Sequence, residues 1–192
     1  GTAEVPAELL AWVEEKGEGN PLFAQELTRA WEGDRPSEGS SLGTLRGFLT
    51  SRLDQLDPAP LLALKVASVV GRTFQVATLQ EIFPLLEERG LVPEYLATTA
   101  EKGLTACQNR HIYGFRHALI QDVTYELLLY SQKRELHEAA ARWLEPDAPP
   151  LVLAHHWEQS SRPERALPYL QEAGQKALAM GAYPEAESIL RR

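Results

Sequence analysis

Apolar positions recur at helical spacing over most of the chain, and each such stretch ends at a recognisable breaker. Pro6–Lys16 carries Leu9, Leu10 and Val13 on one face and stops at Gly17, a residue suited to closing a helix. Asn20-Pro21 restarts one: the Asn20 side chain can accept an orphan N–H, and Pro21 loses nothing at the first helical position. Leu22, Phe23, Leu27 and Ala30 form its apolar side, and the Gly/Ser/Pro-rich stretch Gly33–Gly43 reads as a loop. A third helix, Thr44–Leu56, follows on Leu45, Phe48, Leu49, Leu53 and Leu56.

After Asp57-Pro58, the strongly apolar Leu61–Val70 predicts a buried helix stopped by Gly71. Phe74 and Val76 predict a short strand, Thr78–Phe83 a short helix capped by Thr78, and Pro93–Lys102 a helix with Tyr95 and Leu96 inward, ended by Gly103. The period then falls to two. Leu104–Cys107 and His111–Phe115 predict a hairpin around Gln108-Asn109-Arg110. From His117 the helical period returns on Ala118, Leu119, Val123, Leu127 and Tyr130. Ser131 is then expected to cap an amphipathic helix, Lys133–Leu144, built on Leu136, Ala139, Ala140 and Trp143. The order helix, strand, helix, helix, hairpin is that of a winged helix.

Glu145–Pro150 (EPDAPP) cannot stay helical and marks a boundary. Beyond it, Ala154 and Ala166 are separated by the same interval as Gly174 and Ala186, with a turn inside each pair. Small residues at matching positions let helices approach closely, the device of a helical solenoid. The fold expected is mostly α, in three parts: a helical lid piece over 1–50, a winged helix with a small hairpin over 51–145, and the start of a tetratricopeptide-like solenoid over 150–192. The last residues, Ser188–Arg192, lie in a helical pattern without a stop signal, so the chain reads as part of a longer one.

Composition narrows the function. The net charge of −8 argues against a surface made to neutralise DNA phosphates or an anionic membrane. One cysteine, Cys107, excludes an internal disulfide, and no apolar run approaches a membrane span, so a cytoplasmic location is expected. The chemistry worth following sits where strand gives way to helix. Arg116-His117 falls at a helix start, where unpaired N–H groups and the helix dipole favour an anion such as phosphate, or where another domain could latch. His155-His156 resembles a metal pair, but neighbours on a helix point apart and no further ligands complete the set; interhelical packing is the expectation. Ser131, His137 and Asp122 do not make a hydrolase triad without a strand-borne nucleophile turn.

Several motifs in order carry a family resemblance: GNPLF at Gly19–Phe23, SRLDQL at Ser51–Leu56, GRTF at Gly71–Phe74, YGFRHALIQDVTYELL at Tyr113–Leu128, LAHHW at Leu153–Trp157, and the closing GAYPEA. Together the chain resembles the signal-transduction ATPases with numerous domains, nearest to the bacterial predicted ATPases of multidomain transcriptional activators and of proteins with class III adenylate cyclase domains. The resemblance implies a nucleotide-binding domain upstream, then the helical piece, the winged helix and the repeats. It places Pro21 near an adenine and gives His117, with Arg116 beside it, the role of sensing the nucleotide's phosphates. The family's Met-His-Asp triplet reads Arg116-His117-Ala118 here, without the acid. The chain also has no G-x-x-x-x-G-K-[ST] loop and no acidic magnesium-holding strand, so no catalysis is expected of it, and no cofactor. ADP or ATP with Mg would belong to the parent chain. The bland alternatives are an ordinary first-turn proline at Pro21 and a capping or packing histidine at His117.

The function expected is coupling: nucleotide state in the upstream domain is passed to repeats that bind a protein partner or small-molecule inducer. The alternative is a DNA-contacting winged helix in a transcription regulator. Its reading helix would be PEYLATTAEK, with Glu94 and Glu101 against Lys102, and its wing would offer only Arg110 and His111. Phosphates would repel such a helix.

Overall fold

The computed structural model describes Ala24, Thr28 and residues 45–192, so the helices expected over Pro6–Lys16 and after Asn20, the loop Gly33–Gly43, and Pro21 lie outside the described residues apart from Ala24 and Thr28, which are helical. Residues Gly1–Gln55 and Leu56–Arg192 form two units. In the first, α1 (Leu45–Asp54) buries Phe48, Leu49 and Leu53 at i, i+1 and i+5 of one stripe.

The second unit is built around α2 (Pro58–Val70). Pro58 starts it at no cost in hydrogen bonds, and Ala63, Leu64, Val66 and Ala67 are wholly buried. A helix apolar on nearly all sides must be covered on nearly all sides, and α2 is. It packs against α4 (Val92–Glu101), α5 (Ala118–Glu126) and α6 (Tyr130–Leu144). Gly71 ends it with φ 143° and ψ −173°, its N–H closing on Ala67 O at 3.1 Å.

Strand β1 is only Thr73–Gln75. Val76, expected in the strand, is instead the first residue of α3 (Val76–Ile82), although its N–H still reaches His111 O at 2.9 Å. Gln75 therefore takes the N-cap position, and Thr78, expected there, is buried within the helix. A 3₁₀ helix over Leu86–Leu91, not foreseen from the pattern, leads into α4; the Arg89 side chain ties it down by donating to Phe83 O at 3.3 Å. In α4, Leu96 is wholly buried as expected, while Tyr95 is half-buried and donates its hydroxyl to Glu88 at 3.0 Å. Gly103 ends the helix region with φ 72°, the left-handed conformation that favours glycine.

The hairpin pairs β2 (Thr105–Asn109) with β3 (Ile112–Phe115), and β3 also pairs β1, giving an antiparallel sheet of order β1-β3-β2. Its turn is tighter than the pattern implied. The His111 N–H donates to Asn109 Oδ1 at 2.9 Å, so Asn109 closes the turn from the end of the strand. Phe74 and Phe115 meet edge to face under the sheet, 5.7 Å between centroids, and buried Thr99 and Thr105 share a hydroxyl bond of 2.9 Å that fixes α4 to β2.

The helix after His117 does not run on to Tyr130. Leu127 and Leu128 N–H groups tighten onto Thr124 O and Tyr125 O, the backbone turns extended at Leu129, and Tyr130 opens α6. The Gln132 side chain reaches back to accept the Leu129 N–H at 3.0 Å, which leaves Ser131 exposed in the first turn rather than at the cap. The buried face of α6 is Leu136, His137, Ala140 and Ala141; Trp143, expected inward, is 45% exposed.

From there α7 (Pro150–Gln159), a 3₁₀ turn at Pro163–Ala166, α8 (Leu167–Ala179) and α9 (Tyr183–Leu190) pack in sequence, each on the next. The break at Glu145–Pro150 falls where expected, and the unit continues across it through a cluster of Ala141, Leu153, Ala154, Trp157, Ala166 and Leu170. The four small residues paired by interval in the sequence are all buried. At Gly174 a Cβ would lie 2.5 Å from Leu190 Cδ2, so α9 crosses α8 closely there because that position has no side chain. The described residues thus form a mostly α structure with one small antiparallel sheet. None of their helices is long and apolar enough to cross a membrane.

Candidate functional site

The strand-to-helix corner is where the sequence put it. Arg116 donates its N–H to Leu104 O at 3.1 Å, which closes the sheet under the corner, and its side chain is exposed. His117 has extended backbone, φ −137° and ψ 144°, and occupies the N-cap of α5 without a side-chain capping bond. Its carbonyl starts the helix by accepting from Ile120 N–H at 3.1 Å. The side chain is half-buried, so it is neither a core residue nor a fully solvated one. Phe115 before it and Ile120 after it are buried and hold the corner from both sides; Leu119 is only half-buried. Of the three residues singled out for nucleotide sensing, Arg116 and His117 are therefore together at one corner, the first exposed and the second half-buried, and Pro21 lies outside the described residues.

Sequence reasoning missed a second cluster, at the other end of α5. His137 Nδ1 and His156 Nδ1 lie 2.9 Å apart, and the Tyr125 hydroxyl lies 3.0 Å from His137 Nε2. Both histidines are buried. Two Nδ1 atoms can bond only if one carries a proton and the other a lone pair, so the pair holds a single shared proton. Burial is the main force on both. It pushes His137 down to about 3, with the neighbouring His156, His155 and Lys133 adding to the effect, and His156 down to about 4, with His155 adding. At neutral pH both imidazoles are uncharged, and burial likewise raises the Tyr125 phenol. His155 stands at the exposed edge, its ring 5.5 Å from that of His137.

The cluster joins three helices. Tyr125 comes from α5, His137 from α6, and His155 and His156 from α7. His156 packs between helices as the sequence implied. Its partner 19 positions away was hidden, because the expected apolar face of α6 ran through Ala139 and Trp143 instead of through His137. Among the described residues no group of three or more His, Cys, Asp or Glu side chains is arranged to hold a metal ion.

The cluster forms part of the wall of an open cavity of about 630 Å³, which is completed by the end of α2, by α5 and by α7 from Leu151 to Gln159. Gln121 braces its wall, donating to Ser68 O at 3.1 Å.

Comparison with known proteins gives one extended similarity. The chain is 32% identical over 206 residues to an uncharacterized protein of Rhizobium meliloti (strain 1021); the match takes in 90% of this chain and 18% of that protein. The chain thus spans less than a fifth of the length of this relative. No family model and no solved structure matches it.

Proposed function

We propose that this chain is a non-catalytic coupling segment of a cytoplasmic, multidomain signalling ATPase of the kind it resembles, passing nucleotide state in an upstream domain to a partner- or inducer-binding repeat array. One observation supports this most: a single helix runs from the corner to Tyr125, and side-chain contacts lead on from Tyr125 into the helices beyond Glu145–Pro150. Arg116 and His117 sit at the start of α5; Tyr125 near its end bonds His137 of α6; His137 bonds His156 of α7; and Trp157, next along, packs with Leu170 of α8. A contact made at the corner in only one nucleotide state would bias every element of that route. Catalysis would belong to the parent chain, with ADP or ATP and Mg bound there. The rival reading, a DNA-contacting winged helix, gains nothing from the exposed residues of α4, which include Glu94 and Glu101.

The test separates regulation from folding. His117→Ala truncates a half-buried side chain, and for a change on the scale of one hydrogen bond this chain should lose only about 1 kcal/mol of stability. In the parent protein the same change removes a contact made in one state, shifting the equilibrium by about 1–3 kcal/mol and speeding ADP release about 5- to 150-fold. A variant that unfolds this chain while leaving ADP release unchanged would make His117 a structural residue and end the sensing role.

A further inference from the structure

The cavity beside the histidine cluster has an electrostatic character that its neighbours fix. Among the described residues, Asp122 is the one Asp, Glu, Lys or Arg in its wall, and that residue is exposed. The wall also includes Val69 and Val70, the last residues of α2, whose C-terminal carbonyls are the negative end of a 13-residue helix dipole. The start of α7 brings the opposite helix end to the same wall through Leu151 and Val152. The half-charges of the two helix ends oppose each other, so the full charge of the Asp122 carboxylate sets the sign, and a cation is favoured. The rest of the wall mixes apolar residues, among them Val69, Val70, Leu151 and Val152, with the Tyr125 and His155 rings and the uncharged polar side chains of Ser68, Gln121 and Gln159. A metal ion is a poor occupant, because the two buried imidazoles spend their Nδ1 atoms on each other and no three-ligand group exists among the described residues. The volume lies within the usual range for small organic ligands.

We propose that this cavity binds a small organic cation, a primary amine with an apolar body, its ammonium group at Asp122 and the end of α2 and its body against Val69, Val70 and Val152 beside the Tyr125 and His155 rings. Lys133 already rests 4.4 Å over the Tyr125 ring, so the attraction for a ligand ammonium comes from Asp122 rather than from that face. The site goes beyond the coupling reading and stands without it. If both hold, an amine bridging α2, α5 and α7 would touch the proposed route between Tyr125 and His156 and could act as its inducer.

Benzylamine, benzyl alcohol and benzoate share one body and differ in charge, so titrating each into the 192-residue chain at neutral pH isolates the claim. Binding is read from the His155 imidazole and the Val69 and Val152 methyl resonances. Benzylamine moves them with a dissociation constant on the order of millimolar, as befits so few atoms. It binds about three- to fivefold tighter than benzyl alcohol, the advantage one partly solvated ion pair confers; benzoate leaves the resonances in place. Asp122→Asn, at an exposed helical position that leaves melting unchanged, brings benzylamine to the level of the alcohol. Val152→Trp, which crowds the apolar wall where the ligand's body rests, weakens both. Benzoate binding as well as benzylamine, silence with all three probes, or indifference to Asp122→Asn would each overturn the proposal.

Discussion

The two buried imidazoles, His137 and His156, make folding sensitive to acid. In the unfolded chain each takes up a proton near 6.5; in the fold His137 does so only at about 3 and His156 only at about 4. Between those values the unfolded state binds more protons than the folded one, so the protein is at full stability above about pH 6.5 and loses it as pH falls toward 4. A tenfold difference in proton affinity is worth about 1.4 kcal/mol, so the pair withdraws several kcal/mol over that window. Replacing both at once, His137→Leu with His156→Leu, avoids stranding either partner and should flatten the melting temperature across it. A double variant whose melting temperature falls as steeply as the parent's would show that other groups set the acid limb. Sequence alone gave His156 a packing role but could not supply its partner. The inward stripe of α6 is Leu136, His137, Ala140 and Ala141, and a count of apolar residues ranks Trp143 above His137 for that face.

Elements were legible where a strong apolar period met an unambiguous breaker. α2, running from Pro58 to its stop at Gly71, is such a case, and so are the hairpin and the corner after Phe115. They were misread at caps, where a distant backbone partner decides. The Val76 N–H is held by His111 O across the sheet while Val76 itself already begins α3, which no local rule at Thr78 can foresee. Gly71 shows the converse, a local rule that holds. Its φ of 143° with ψ of −173° is essentially reserved for glycine, yet an added Cβ would find only Thr73 O, 4.0 Å away. Gly71→Ala should therefore cost about 1–3 kcal/mol from backbone strain alone, with no clash to relieve. Chemical denaturation measures it. An unchanged midpoint would mean that the chain leaves α2 by a different path, and the wall of the cavity would have to be redrawn with it.

At the scale of the whole molecule, the sequence order of helices, short strand and hairpin is the order in the structure, and the proline-rich stretch Glu145–Pro150 does separate two helices. What the pattern could not disclose is that this break leaves the packing continuous. α6 and α7 meet across it through His137, His156, Ala141 and Leu153, so residues on both sides belong to one unit, Leu56–Arg192. Periodicity marks where a helix stops, whereas contact across the stop depends on side chains 19 positions apart. That continuity is what a coupling segment requires, since a flexible joint would dissipate any bias set at Arg116 and His117. Hydrogen exchange of the parent protein, loaded in turn with ADP and with a non-hydrolysable ATP analogue, tests it most directly. Coupling predicts that amide protection differs between the two states in α5 and also in α6 and α7, with the difference in α7 lost in Tyr125→Phe, which breaks the bond to His137. Identical protection of α5 through α7 in both nucleotide states would contradict it.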